Sequence, residues 1–229
     1  MTDTGITNAS GAGSTRDRIV DAFLELLGED SFERIGLSDV ARRAGVSLAQ
    51  MRKEFSSTLS ILAAHIKDTD EKVLAGGDSD MAEESTREKL FDVLMRRLEI
   101  LRPHRLAVHS LLRSARRNPG LAFALNGFAV QSQRWMLSAA DIKVAGPKGM
   151  VRAQGLAMLF ACVLQAWVKD DDPGLARTMA VLDRELSRAQ RWSGFLDDVC
   201  AIPCGFRGLR PPRRRREAPD DAPIAAERG

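Results

Sequence analysis

Ser47, Gln50, Arg52 and Lys53 crowd a hydroxyl, an amide and two cations into one short stretch, directly after the glycine corner Ala44-Gly45-Val46. Side chains of these types hydrogen-bond base edges or neutralise phosphates, so the chemistry they suggest is recognition of double-stranded DNA. They lie in LSDVARRAGVSLAQMRKEF, residues 37–55. In its first half Leu37, Val40, Ala41 and Ala44 recur at helical spacing, and Gly45 supplies the left-handed residue that ends a helix. Val46 then points inward and Ser47 caps a second helix. The spacing predicts that Leu48, Met51 and Phe55 are buried in that second helix, with Gln50, Arg52, Lys53 and Glu54 facing out. The competing reading is a helical corner in an ordinary bundle, because short helix pairs are common.

The neighbouring elements favour DNA. Ser14-Thr15-Arg16-Asp17 has capping-box spacing, and the helix it opens is expected to bury Ile19, Phe23, Leu26 and Leu27. Three helices therefore precede residue 56, the size of a compact DNA-binding head. Arg16, Arg18, Arg42, Arg43, Arg52 and Lys53 are concentrated in it, a charge that suits a phosphate backbone and equally a solvated helix face.

With these motifs in view, the chain resembles the TetR family of bacterial repressors. The likeness rests on Ile19, Phe23 and Leu27 in the opening helix, then Asp39-Val40-Ala41, Ala44-Gly45-Val46-Ser47, and Phe55-Ser56-Ser57 leading into a fourth helix. Arg52 stands where the family usually has an aromatic residue, and Thr58 where it usually has a lysine. The resemblance implies an all-α homodimer whose heads enter successive major grooves, with a larger C-terminal domain that binds a small molecule. It places Ser47, Gln50, Arg52 and Lys53 on the recognition helix. Gln50 is the expected reader of an adenine edge in a palindromic site, with Arg52 and Lys53 on base or phosphate and Arg42 and Arg43 beside them.

Composition sets outer bounds. The 229 residues, 44% hydrophobic and with formal net charge +3, can bury one sizeable core plus a small head. The expected layout is a flexible start (1–13), a helix-turn-helix head (14–57), a helical ligand-binding and dimerisation domain (58–200) and a disordered basic tail (201–229). The tail carries Arg207, Arg210, Arg213, Arg214, Arg215 and Arg216. There is no run of 18 or more apolar residues and no signal-peptide core, so the sequence suggests a cytoplasmic protein without stable membrane insertion. Cys162 reads as core packing, while Cys200 and Cys204 lack further ligands for zinc. No catalytic constellation, metal set or cofactor motif stands out, and an enzyme is not expected.

The body reads as helical throughout, for about nine helices in all, with breaks at Gly76-Gly77-Asp78, Pro103, Asn118-Pro119-Gly120 and Gly146-Pro147. Leu90, Leu94, Leu98 and Leu101 form one stripe, and Leu106 and Leu111 are expected inside the next helix. Residues 155–168 have Gln165 as their one polar side chain, so cover on nearly every side is expected, from protein rather than lipid because the segment is short. Leu175, Met179, Leu182, Leu186 and Ala189 alternate in steps of four and three, a seam expected to pair the last two helices with those of a second subunit; closure of the chain's own core is the alternative. A pocket for an unknown small apolar effector would be walled by Leu94, Leu98, Leu125, Phe128, Trp135, Phe160 and Trp167, although each is also a plausible core residue.

The body also resembles the TetR-fold lipid-binding protein of ubiquinone biosynthesis. Residues 97–104, Arg134-Trp135, residues 164–173 and Leu182-Asp183-Arg184-Glu185-Leu186 carry that likeness. It implies an isoprenoid or other lipid in the central cavity and no binding to DNA.

Overall fold

Side chains acting on nearby backbone start most of the helices. Ser14 accepts the Asp17 N–H at 3.1 Å while the Asp17 carboxylate takes the Ser14 N–H, opening α1 (Thr15–Glu29). Ser57 and Ser85 open α4 (Thr58–Ala75) and α5 (Thr86–Leu101) in the same way. Between α1 and α4 lie a short 3-10 turn (Phe32–Arg34), α2 (Leu37–Ala44) and α3 (Leu48–Glu54). Pro103 sits in a second 3-10 turn (Arg102–His104), and α6 (Arg105–Arg117) follows. Asn118 ends α6 and caps α7 (Pro119–Ala139), so Pro119 and Gly120 belong to a helix's first turn rather than to a free loop. Then come α8 (Gly146–Trp167) and α9 (Ala176–Ala201).

The computed structural model describes residues 13–77 and 83–201, and among these all regular structure is helical, in nine α-helices and short 3-10 turns. The expected flexible start, the arginine-rich tail and Cys204 lie outside the described residues apart from Gly13 and Ala201. Described residues up to Ser193 form one compact unit.

Two hydrophobic clusters organise that unit. The first gathers Ile19, Phe23 and Leu27 of α1 with Val40, Met51, Phe55, Ile61 and Leu62, and it also takes Ala107 of α6. The head is thus not a free appendage. Ser110 Oγ donates to the Asp30 carbonyl at 2.6 Å and Ser114 Oγ accepts the Phe32 N–H at 3.2 Å, fastening α6 to the end of α1. The second cluster joins Val73 of α4, the α5 stripe, Met136 and Leu137 of α7, Phe160, Val163 and Trp167 of α8, and Leu182 and Leu186 of α9. α4 therefore has its first half in one core and its second half in the other.

Inside the second cluster is a buried polar knot. Arg97 of α5 donates to Asp70 of α4, whose carboxylate also accepts Ser132 Oγ of α7 at 2.7 Å. The guanidinium lies 5.5 Å from the centre of the Phe160 ring, an arrangement that favours a cation over the π face. One ion pair consequently ties α4, α5 and α7 together.

Several expectations about the body need correcting. Leu106 is 71% exposed, because Ala107, Ser110 and Ser114 form the face that α6 turns to the head. Cys162 is exposed and so is no packing residue. Leu182 and Leu186 of the expected pairing seam close the chain's own core instead. The helix expected over 155–168 runs from Gly146 to Trp167, 22 residues, which is long and apolar enough to cross a bilayer by length and composition. Shortness thus cannot be the reason to exclude a membrane. What engages this helix is its inner face, where Ala153, Leu156, Ala157, Phe160, Val163 and Trp167 are buried. Its first turn lies tightly on the preceding loop: a Cβ on Gly149 would come within 2.0 Å of the Val144 carbonyl oxygen. The opposite face, with Val151, Gly155, Met158 and Cys162 in steps of four, three and four, is exposed, so the expected cover on nearly every side is not provided within one chain.

Candidate nucleic-acid interface

The corner between α2 and α3 follows from Gly45. Its φ of 64° and ψ of 37° are left-handed, which lets the Gly45 N–H reach the Arg42 carbonyl (3.3 Å) and the Val46 N–H reach the Ala41 carbonyl (3.0 Å). These paired bonds satisfy the orphan carbonyls of α2 and turn the chain sharply. A Cβ at Gly45 would meet nothing within 4 Å, so substitution costs conformation rather than a clash. Gly45→Ala is expected to lose about 1 kcal/mol and to lower the melting temperature by about 2–4 °C, measured by thermal unfolding. An unchanged midpoint would mean that the corner is not fixed by this residue.

Immediately beyond the corner, Ser47 Oγ accepts the Gln50 N–H at 3.1 Å and the Gln50 amide oxygen accepts the Ser47 N–H at 2.8 Å. This reciprocal cap starts α3 and fixes its direction. Met51 and Phe55 are buried against α1 and α2, whereas Ala49, Gln50, Arg52, Lys53 and Glu54 are exposed. Leu48, expected on the buried side, is 59% exposed. At the first position of a seven-residue helix it points away from the head core, which Met51 fills.

The six expected DNA-contacting residues differ in what they are free to do. Ser47 and Gln50 are engaged with each other. To read adenine with both ends of its amide, Gln50 would have to withdraw its oxygen from the cap. Arg43 braces α2 against α1, donating to both carboxylate oxygens of Glu29 (2.9 and 2.7 Å) and to Glu25 (3.3 Å); these bonds, Glu29 first, raise its pKa. The same contact lowers the Glu29 pKa. Arg42 pairs loosely with Asp39 at 3.2 Å on the exposed side of α2. Among the described residues, Arg52 and Lys53 have no ion-pair partner and are exposed on the outer face of α3. Arg16 of α1 holds Asp68, just past the middle of α4, through two bonds of 3.0 and 2.9 Å, which ties α4 to the head. The hydrogen bond to Asp68 is the main cause of a raised Arg16 pKa.

The seven expected pocket residues are not gathered around one space. Leu94, Leu98, Phe160 and Trp167 are buried together in the body cluster. Leu125 packs on the head cluster, Phe128 is half-buried and Trp135 is 53% exposed. A surface cleft exists elsewhere, lined by Glu84, Arg87, Glu88, Phe91, Asp92 and Asp183, and none of the seven lines it.

No family model and no curated relative matches the sequence. Solved structures do match. A TetR transcriptional regulator from Nitrosomonas europaea superposes with a TM-score of 0.62 at 22% identity, over 78% of this chain and 99% of the other. The fold is that of the TetR regulators. A second TetR regulator, from a Rhodococcus species, gives a TM-score of 0.55 at 21% identity, covering 76% of this chain and 94% of that one. The fatty acid degradation regulator FadR of Bacillus halodurans gives 0.53 at 17% identity, covering 78% and 95%. Within this TetR fold, the segment that also suggested a lipid-binding relative does joint work. Asp170 accepts the Thr178 N–H (2.8 Å) and hydroxyl (2.6 Å) at the start of α9, which holds its pKa low, while Arg105 donates to the Asp170 carbonyl. Asp172 accepts the Gly174 and Ala176 N–H groups. Those aspartates secure the α8–α9 turn, so their presence needs no lipid to explain it.

Proposed function

We propose that the chain is a DNA-binding transcriptional regulator in which α3 lies in the major groove. The observation that carries this reading is the pair Arg52 and Lys53, exposed and without an ion-pair partner among the described residues, on a helix held by a reciprocal cap beyond a glycine corner. Cations left free on a rigid element are poised to displace counterions from phosphates, and a groove admits a helix of this size. In a gel-shift or anisotropy titration against the DNA upstream of its own gene, the full chain binds with an affinity that falls as salt rises. Arg52→Ala combined with Lys53→Ala is expected to weaken binding and to reduce the slope of log K against log salt by about 2 for each bound head, about 4 for a homodimer. Identical slopes for the variant and the parent protein would remove these residues from the interface.

The regulator acts as a homodimer on a palindrome with half-sites about one helical turn apart. The exposed stripe of Val151, Gly155, Met158 and Cys162 on α8 supports pairing through this helix, since small and apolar residues in such a repeat suit close helix contact. A small apolar effector binding in the body would act through α4, whose two halves belong to different cores, and it shifts the heads only if it binds the displaced arrangement more tightly. The name of the fatty acid degradation regulator among the structural neighbours accords with an apolar effector.

A further inference from the structure

We infer that α3 reads thymine through its methyl group, using Leu48 and Ala49; this inference rests on the DNA-binding reading above. Leu48 is the one large hydrophobic residue strongly exposed among the described residues of the head, and Ala49 beside it is exposed too. Neither offers a hydrogen bond. The neighbours that could, Ser47 and Gln50, have their side-chain oxygens turned onto each other's backbone N–H groups at 3.1 and 2.8 Å. The leading part of the exposed face of α3 is therefore apolar, and one helical turn further on the same rows carry Arg52 and Lys53, four residues after Leu48 and Ala49 respectively.

Of the groups that unmodified base pairs present in the major groove, the thymine C5 methyl is the one apolar group that projects from the groove floor; cytosine has only a hydrogen at that position. Thymine also presents its O4 acceptor, but the methyl stands beside it; the other bases offer Leu48 donors and acceptors with no methyl, which it would strip of water without replacing the lost hydrogen bonds. An exposed leucine thus favours thymine by contact and disfavours the other bases by desolvation. The cations one turn away supply the charge complementarity that keeps this apolar surface against DNA rather than against protein. The half-site accordingly has thymine facing Leu48, with the contacts of Arg52 and Lys53 further along the same groove.

The test begins with selection of bound duplexes from a random pool by the full chain, followed by replacement of each thymine in the selected site by deoxyuridine. That change deletes one methyl and leaves base pairing and every hydrogen-bonding group intact. At one or two positions per half-site the dissociation constant is expected to rise about three- to tenfold, the scale of one buried methyl contact. In Leu48→Ala, which alters an exposed side chain and spares the fold, the replacement is expected to lose its effect at one of these positions, the one that Leu48 covers, while a position covered by Ala49 keeps its penalty. Selective binding with deoxyuridine tolerated everywhere would overturn the thymine assignment while leaving the DNA-binding reading intact. Methyl penalties that persist undiminished at every sensitive position in Leu48→Ala would overturn the role of Leu48. Failure to select any duplex would overturn both readings together.

Discussion

Arg97→Ala is expected to destabilise the protein by about 3–5 kcal/mol, because it leaves the Asp70 carboxylate buried with only Ser132 to compensate its charge. Urea denaturation at neutral pH measures the loss. The cost comes from stranding a charge rather than from the pair's own net worth, since two ions removed from water recover little more than their desolvation. Substituting both partners with apolar residues of similar volume, Arg97→Met with Asp70→Leu, is therefore expected to restore most of the stability. The strong coupling between two substitutions that each harm the protein alone would identify the pair as a unit. A loss below about 1 kcal/mol in Arg97→Ala would mean that water or a neighbour compensates Asp70. The double variant separates a second effect: with α4, α5 and α7 joined only by apolar packing, α4 loses its directional tie to the body. Altered DNA affinity in a variant of restored stability would place this knot in the link between body and head.

The knot also marks the boundary of what sequence could disclose. Caps and corners were legible because their causes lie within a few residues: Ser14 with Asp17, Ser47 with Gln50, and Gly45 against the carbonyls of its own helix. Burial at a distance was less so. Periodicity says which residues share a face and leaves open what covers it, and for that reason Leu106, Trp135 and Cys162 were expected inside and are exposed. Leu48 was misread because the second short helix has too few turns to separate an inward row from its neighbours. Arg97 and Asp70 were missed because charged residues are usually solvated. Their positions did hold a signal: Arg97 lies three residues after Leu94 and four before Leu101, and Asp70 four after Ile66 and three before Val73, each within an apolar stripe. Ser110, three residues after the buried Ala107, and Ser114 a turn further on followed the same pattern and proved to be the fasteners of the head. For Gln50 a cap and a base edge compete for the same amide, a competition that its spacing from Ser47 already contains.

His65 gives the stability of this junction a definite dependence on acid. It lies on α4 and meets the His104 ring edge to face at 5.3 Å between centroids, while its Nε2 is buried without a hydrogen-bond partner among the described residues. Burial is the main cause that pushes its pKa down to about 4, and His104 lowers it further; Asp68 opposes this, and Lys72 and Arg97 reinforce it. The His104 pKa is lowered as well, chiefly by burial, with Asp21 of α1 acting in the other direction. In the unfolded chain such a histidine titrates near 6.5. Between that value and about 4 the unfolded state binds a proton that the folded state refuses, so stability falls as pH falls through this window and is insensitive to this group above it. The difference amounts to about 3 kcal/mol once the pH reaches the lower end. His65→Phe keeps an aromatic ring against His104 and cannot take up a proton. Carboxylates elsewhere titrate equally in both proteins, so the quantity to follow is the difference between the two denaturation free energies from pH 7 to pH 4. That difference is expected to move steadily in favour of the variant as acid is added. A constant difference would show that His65 charges without penalty in the folded chain, and that the contact between α4 and the turn before α6 opens to water more readily than its burial indicates.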